Sequence, residues 1–351
     1  MRNTKARSLP FTLAGLAPAI FALVVAGFAL PIAAQDTPLL SGGVGFFYNT
    51  SGPNSDYQPH VEPLIAAPIG PRILFESRSI LQEDITPKGR GQSGYNHSHF
   101  INLIYMQGDI HAAPHMNLIL GDFLLPFNTY NERLSEIWIQ NFQFAPLTAG
   151  LGTLGSGSGI GAMVSGSGIS NEHHNFTYNG WYSARSGNTQ FNSRRSFGGR
   201  GTMYLPDARL EMGISYDRQL QATHENFYGL HVWWEPKDTA FRLRSEYSRG
   251  HHAHGYWVEA DYRSQAFGGL DSLVGRFEPV FRLQQTFRRD TLVSDGLPFV
   301  NTQQVDFGFN YNLPHNTRIL ASYSRQFSSK NTNIWQTGIV YRFLFPAWKG
   351  K

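Results

Sequence analysis

The feature that most constrains the fold is an alternation of apolar and polar side chains with a period of two. In its clearest example, five apolar residues alternate with five polar or small ones: Val305, Phe307, Phe309, Tyr311 and Leu313 with Gln304, Asp306, Gly308, Asn310 and Asn312. Successive side chains of a strand point to opposite faces, so this segment has one apolar and one polar face. Similar segments of roughly 9–11 residues, the length of strands that cross an outer membrane, recur from about Arg72 onward. Strands of a soluble sandwich are shorter, at about five or six residues. The pattern favours an antiparallel up-and-down transmembrane β-barrel.

Fourteen alternating segments can be counted, beginning near residues 72, 98, 115, 157, 174, 196, 208, 225, 239, 253, 275, 302, 316 and 332. An even number agrees with a closed bacterial barrel, which leaves no strand edge unpaired in lipid. Tight connections that pair a proline with Asp or Asn follow even-numbered segments, at 205–209, 235–239 and 313–318. Long connections mostly follow odd-numbered ones, as external loops should; 264–274 is the exception. The sequence predicts an all-β barrel of about 14 strands (12–16) over residues 72–345.

The N-terminal segment has the layout of a secretory signal. Basic residues precede an apolar stretch from Leu9 to Leu30, which is followed by Pro31 and the small residues Ala33 and Ala34. We expect a signal peptide over 1–34 with cleavage after Ala34; the alternative is an uncleaved anchor, because the apolar stretch approaches the ~20 residues that span a bilayer.

Two further segments flank the predicted barrel. Residues 35–71 contain six prolines and no sustained alternation, which indicates a periplasmic leader or a plug segment, and residues 346–351 form a C-terminal tail. The Gly/Ser-rich run 150–168 is read in part as a thin strand, with a linker between two domains as the alternative.

Composition excludes several classes of function. The charged fraction of 15% lies well below the roughly 25% of soluble domains, and a mean hydropathy of −0.30 disfavours a helical membrane protein. With no cysteine, thiolate metal sites and Cys nucleophiles are excluded, and no phosphate-loop, zincin or hydrolase-elbow motif occurs, so we expect no cofactor, no metal and no catalytic residue. Subtracting the three basic residues of 1–34 from 29 leaves 26 against 25 acidic ones, which gives little support to nucleic-acid binding.

The last segment resembles the C-terminal signal by which outer-membrane barrels are recognised by their assembly machinery. It runs from Gln336 through Gly338 to Tyr341 and Phe343, a polar residue and a glycine followed by aromatics two apart. Such chains usually stop at the aromatic, whereas this one continues for several residues. The alternative is an ordinary amphipathic strand.

A second stretch, Gly121-Asp122-Phe123-Leu124-Leu125-Pro126-Phe127 with polar loop residues to Pro146, is similar to Gram-negative porins of the phosphate-selective O/P type. The resemblance implies a water-filled outer-membrane channel for small anions, commonly a homotrimer. It also implies contacts with outer-membrane lipid and lipopolysaccharide. Selectivity in that family rests on basic residues that line the lumen, often several lysines. Only six lysines occur here, so phosphate selectivity is not carried over.

Charged residues sort onto the face opposite the apolar one, because an Arg facing lipid at mid-depth would cost about 2–4 kcal/mol. The predicted channel-lining set is Arg200, Arg242, Arg244, Glu246, Glu259, Asp261, Arg263, Arg276, Glu278, Arg282, Asp306, Arg318 and Arg342. Eleven inward arginines oppose eight inward acids in the full count, which predicts a weak anion preference. The set can form either a polarised channel wall that orients dipolar solutes or ion pairs that fill a narrow lumen.

We therefore expect a channel for passive diffusion of small polar solutes or ions, with no enzymatic activity. The long connection 124–156 is expected to fold inward and narrow the pore, because of its length and apolar content. One rival function is a structural or partner-binding barrel with a filled lumen. A hydrolase is the other, with His251, His252 and His254 as its only material; we expect these to be solvated loop residues rather than a metal site.

Overall fold

The computed structural model describes residues 38–89, 92–187, 192–221, 224–269, 271–290 and 295–346. The predicted signal peptide 1–34 and the tail beyond Pro346 lie outside these residues. No helix within the described ranges is both long and apolar enough to cross a membrane.

Sixteen antiparallel strands of the described chain close into one barrel in simple sequential order, and the last strand pairs with the first. They are β1 Leu39–Ser51, β2 Asn54–Ile69, β3 Ile73–Pro87, β4 Tyr95–Ala113, β5 Met116–Leu124, β6 Ser158–Ser170, β7 Asn175–Ala184, β8 Ser196–Leu205, β9 Leu210–Gln219, β10 Asn226–Trp234, β11 Phe241–Arg249, β12 Ala253–Tyr262, β13 Phe277–Arg288, β14 Thr302–Leu313, β15 Thr317–Phe327 and β16 Thr332–Pro346. The all-β antiparallel closed barrel is confirmed. Its strand number is sixteen rather than about fourteen.

All fourteen segments found in the sequence are barrel strands, and each begins within three residues of its predicted start. The two additional strands, β1 and β2, occupy the segment that was predicted to be a leader or plug. That prediction is wrong, because β1 pairs along its whole length with both β16 and β2 and thereby closes the barrel. Adding two strands keeps the parity of the connections, so the tight Pro-containing turns share one end.

One end of the barrel carries these turns, together with the start of β1 and the end of β16, and we call it the turn end. We call the opposite end the loop end. The connection 263–276 is the long exception at the turn end, and it contains a 3₁₀ helix, Ser264–Phe267. At the loop end, Ser186–Gly187 and Asn192–Ser193 form a two-residue antiparallel pair.

The two faces of the barrel have opposite character. Apolar side chains on the outer face stay exposed, such as Ile214 at 64% and Phe307 at 57%, whereas Asp306 and Asn310 on the inner face are fully buried at 0%. Alternation puts Phe307 and Asp306 on opposite faces of β14. The apolar band therefore lies outside and the polar core inside, the reverse of a soluble protein.

Candidate functional site: the lumen and its inserted loop

The connection between β5 and β6, residues 125–157, lies inside the barrel, and we call it the lumen loop. Its side chains Phe127, Tyr130, Leu134, Ile137 and Phe142 are buried, and it contains one short helix, α1, Tyr130–Arg133. A hydrophobic cluster of Ile137 with Phe47, Leu320 and Val340 packs it against β1, β15 and β16. The expectation that this connection folds inward agrees with its position.

Glu246 of β11 holds the start of α1. One of its carboxylate oxygens accepts hydrogen bonds from the Thr129 backbone N–H at 2.7 Å, the Thr129 hydroxyl at 2.9 Å and the Tyr130 N–H at 2.8 Å. The other oxygen accepts one from the Trp257 indole at 3.2 Å. Helix N-termini have unpaired N–H groups and a partial positive charge, so a carboxylate at this place satisfies both.

A second anchor joins the middle of the lumen loop to β2 and β3. The Arg78 guanidinium donates to Glu62 at 3.0 Å and to the Ser135 hydroxyl and carbonyl, each at 3.0 Å. Glu62 in turn accepts the Ile137 N–H at 3.2 Å. Glu136 lies 3.5 Å from Arg78, and burial raises the pKa of its carboxyl against the opposing effect of the guanidinium.

Further hydrogen bonds and ion pairs join the lumen loop to other strands of the barrel wall. Arg200 of β8 donates to the Asn128 carbonyl and pairs with Glu132, whereas Arg318 of β15 donates to the carbonyl of Ile137 at 3.3 Å and to that of Gln140. Asn141 donates to Glu259 at 2.9 Å and to Asp261 at 3.2 Å. Residues on β2, β3, β8, β11, β12 and β15 thus all hold the lumen loop.

The predicted charged wall on β11–β14 is a continuous network of ion pairs. Arg242 pairs with Asp261 at 2.5 Å and with Glu278. Its neighbours form pairs from Arg244 to Glu259 at 3.4 Å and to Asp261 at 3.2 Å, and from Arg282 to Asp306 at 2.9 Å. Arg282 also stacks over Phe142 of the lumen loop, with 4.5 Å from Cζ to the ring centroid. The sequence left two arrangements open, a polarised channel wall and ion pairs that fill the lumen. In the structure, these residues form neutralising ion pairs.

The remaining predicted residues lie apart from this network. Glu246 and Arg200 hold the lumen loop, as described above. Arg276, Arg318 and Arg342 border a cavity of about 510 Å³ at the turn end. Arg263 follows β12 at the same end and is exposed. Sequence reasoning missed Glu62, Arg78 and Asn141; the alternation of His60 and Glu62 with Val61 was available, but the surrounding prolines hid it.

Open space remains beside strands β4, β5 and β6. A cavity of about 320 Å³ at the loop end is bordered by Asn102, Asp122, Ser158 and Asp217, together with the lumen loop. A second cavity, of about 340 Å³, opens at the turn end beside the same three strands and is bordered by Asn117, Ser165 and Ser167. The Gly/Ser-rich run contributes to this space through the small residues Ser165 and Ser167 on β6, whereas Met163 of the same run is buried against Phe123 and Trp181.

The C-terminal signal residues lie on β16. Tyr341 is exposed on the outer face, and Phe343 stacks on Phe345 with 5.6 Å between ring centroids. Gln336 and Gly338 face inward. A Cβ at position 338 would overlap Cδ1 of Phe47, so this glycine lets the Phe47 ring lie directly on the backbone of β16.

The histidine cluster lies at the loop end, outside the lumen. The His251 and His252 rings contact each other at 4.9 Å, and His254 stacks on Phe287 at 4.9 Å. Within the described ranges, no three His, Asp or Glu side chains come together as a metal site would require.

Comparison with solved structures identifies the architecture. The chain is similar to an anion-selective porin from Comamonas acidovorans, with 12% identity and a TM-score of 0.56, over 88% of this chain and 100% of that one. OprB of Pseudomonas putida at high pH gives 9% identity and a TM-score of 0.60, over 88% and 94%. OmpF of Salmonella typhi in complex with daunomycin gives 10% identity and a TM-score of 0.57, over 88% and 97%.

The chain has a porin fold. No family model matches it, and no curated protein sequence matches it. At these identities the likeness establishes the fold alone, and the phosphate-selective O/P type named from the sequence is not among the features that it establishes. A barrel of sixteen strands has a wide interior, and the lumen loop occupies part of it.

Proposed function

We propose that the protein is an outer-membrane channel for passive diffusion of small polar solutes or ions, without enzymatic activity. The observation that carries this proposal is the pair of polar cavities at opposite ends of the barrel beside β4, β5 and β6. Barrels of 16 to 18 strands have room for an aqueous channel, and the lumen loop fills only part of this one. Lipid and lipopolysaccharide on the outer face, the barrel-assembly machinery and a homotrimeric state remain part of the proposal.

A weak anion preference is the finer part of the proposal. The ion pairs of β11–β14 neutralise Arg242, Arg244 and Arg282, so the preference rests on the arginines at the turn end. Among the described residues, Arg318 and Arg342 have no carboxylate within salt-bridge distance, and both border the cavity there. Two arginines at a channel mouth raise the local concentration of anions.

The test is conductance of the purified protein in a planar lipid bilayer. Stable, uniform current steps support a channel, and the reversal potential in a salt gradient gives its selectivity. Absence of current steps would refute the proposal if the protein is correctly folded. Correct folding is judged by the resistance of the unheated protein to unfolding in detergent.

A filled, structural barrel is the second candidate, because side chains on at least nine strands hold the lumen loop; besides the six named above, these are β9, β13 and β14. Deletion of residues 130–148 separates the two functions. A channel narrowed by the loop should conduct several-fold more after the deletion, with a larger exclusion size for uncharged sugars. A filled barrel should conduct only after the deletion, and an unchanged conductance would show that the loop does not limit the pore.

A further inference from the structure

A pocket lined by two arginines and one acid lies at the loop end, outside the lumen. It has a volume of about 490 Å³ and is bordered by His224, Glu225, Arg249, His251 and Arg289, with Tyr228 below. We call it the rim pocket. It takes no part in holding the lumen loop or in the ion-pair wall, so the proposed channel leaves it unexplained.

The arginines of the rim pocket come from neighbouring strands and converge on the outer surface. Arg249 ends β11 and is in register with His254 of β12. Arg289 follows β13, and its N–H donates to the His252 carbonyl at 2.8 Å. Ser248 is buried on the inner face, where it accepts a hydrogen bond from Asn128 at 2.9 Å, so Arg249 next to it faces outward.

Neither arginine is neutralised. Within the described part of the chain, Arg249 and Arg289 have no carboxylate within salt-bridge distance, in contrast to Arg242, Arg244 and Arg282 of the wall. Glu225 is the one acid of the pocket lining, and its carboxylate accepts the His251 N–H at 2.6 Å. Two exposed guanidinium groups with one acid between them make an anion site, because guanidinium donors match the oxygens of a phosphate.

The position of the rim pocket relative to the apolar band indicates which kind of anion it binds. Directly below it on the outer face lie Tyr228, Tyr247 and Phe287, and further along β10 come Leu230, Val232 and Trp234. The seven residues from Tyr228 to Trp234 are separated by six steps of about 3.3 Å, which is about 20 Å along the strand. With a strand tilt of about 40°, this length covers roughly 15 Å of the apolar band, which is about 25 Å tall in an outer-membrane barrel. Aromatic girdles mark the two interfaces of such a band. The rim pocket therefore lies at the level of the headgroups.

We infer that the rim pocket binds a phosphate group on the headgroup of an outer-leaflet lipid, with its acyl chains against Tyr228, Leu230 and Phe287. The inference rests on the outer-membrane location and the lipopolysaccharide contacts of the proposed function, to which it assigns a site, and it does not depend on channel activity. A freely diffusing phosphate is the competing source of the same chemistry. It lacks the acyl chains, so it does not use the apolar surface below the pocket.

The experiment is native mass spectrometry and thermal unfolding of the full mature chain in detergent, titrated with three probes. These are diphosphoryl lipid A, the same lipid after enzymatic dephosphorylation, and inorganic phosphate. We expect diphosphoryl lipid A to remain bound and to raise the unfolding temperature, with the dephosphorylated lipid at least about tenfold weaker. Equal binding of the two lipids, or equal binding of inorganic phosphate and diphosphoryl lipid A, would overturn the inference.

Variants assign the effect to the pocket. Arg249→Gln with Arg289→Gln should weaken diphosphoryl lipid A about tenfold or more. The matched control is Arg325→Gln, an exposed arginine at the loop end of β15 on another part of the rim. Lipid affinity of the double variant within twofold of the wild type, or an equal loss in the control, would contradict the assignment. Conductance, measured separately, should not change, so failure here is distinct from failure of the channel proposal.

Discussion

Glu136 is an ionisable side chain of the lumen loop that is buried beside its partner, Arg78. Burial raises the pKa of the carboxyl above its ordinary value, so the folded protein binds this proton more tightly than the unfolded chain does. Its contribution to the free energy of unfolding is therefore fully present below the ordinary Glu pKa and is lost as the pH rises through the raised pKa.

Glu136→Gln should abolish this pH dependence. We expect the difference in free energy of unfolding between wild type and variant to change as the pH rises from the ordinary Glu pKa through the raised one, with the wild type losing relative stability. Denaturant titration of the barrel in lipid vesicles measures it. A difference that stays constant over this range would show that Glu136 does not titrate with a raised pKa.

Gly338 and Phe47 form the closest contact between β1 and β16, where the barrel closes. Gly338→Ala would push a methyl group into the ring and should destabilise the barrel by about 1–3 kcal/mol, as overpacked cores do. With Phe47→Ala as background, the same change should cost little, because the ring is gone. The double-mutant cycle by denaturant unfolding tests this coupling. Additive effects would mean that Gly338 acts through the assembly machinery or the strand backbone instead.

At the scale of the strand, alternation was sufficient to find β3–β16 but not β1 and β2. Prolines hid β2, since proline lacks the N–H that a central strand needs. β1 contains no proline, but the buried Phe47 directly follows the exposed Phe46, which interrupts the alternation of apolar and polar residues. Pro59 and Pro63 interrupt the pairing of β2 with only one of its two neighbouring strands. Pairing of β2 with β1 is unbroken, whereas pairing with β3 skips both prolines and resumes in the same register. The sequence alone does not show which neighbouring strand the missing N–H of each proline would have faced.

The paired strands β13 and β14 carry Arg282 and Asp306, both almost completely buried. Removal of one partner leaves an uncompensated charge, so Arg282→Met should destabilise the barrel by about 3–5 kcal/mol. Asp306→Asn added to Arg282→Met should restore part of that loss, because the unpaired carboxylate is removed. Unfolding in denaturant, with tryptophan fluorescence as the readout, gives both values. A double variant no more stable than Arg282→Met would place the main effect on Glu259 or on the Phe142 contact.

At the scale of the whole molecule, the sequence predicted which charges point inward but not how they are shared. The sorting follows from the cost of charge in lipid, which acts on every strand separately. Pairing depends on register between strands and on where the lumen loop turns, and neither is encoded within a single segment. Arg200 and Glu246 hold the loop, whereas Arg242, Arg244 and Arg282 are neutralised on the wall.

We therefore predict that the selectivity of the proposed channel depends on a few residues rather than on the total of inward charge. Arg318→Gln with Arg342→Gln removes two positive charges at the turn-end cavity and should move the reversal potential in a salt gradient toward cations. Arg325→Gln, on the outer rim, should leave it unchanged. Because Arg318 also donates to the lumen loop, Arg342→Gln alone is the decisive variant: it should shift the potential in the same direction without altering conductance steps by more than a small fraction. If Arg342→Gln leaves the reversal potential unchanged, the turn-end mouth does not lie on the conducting path. Ions would then pass beside β4, β5 and β6, through the cavity lined by Asp122, Asp217 and Arg194.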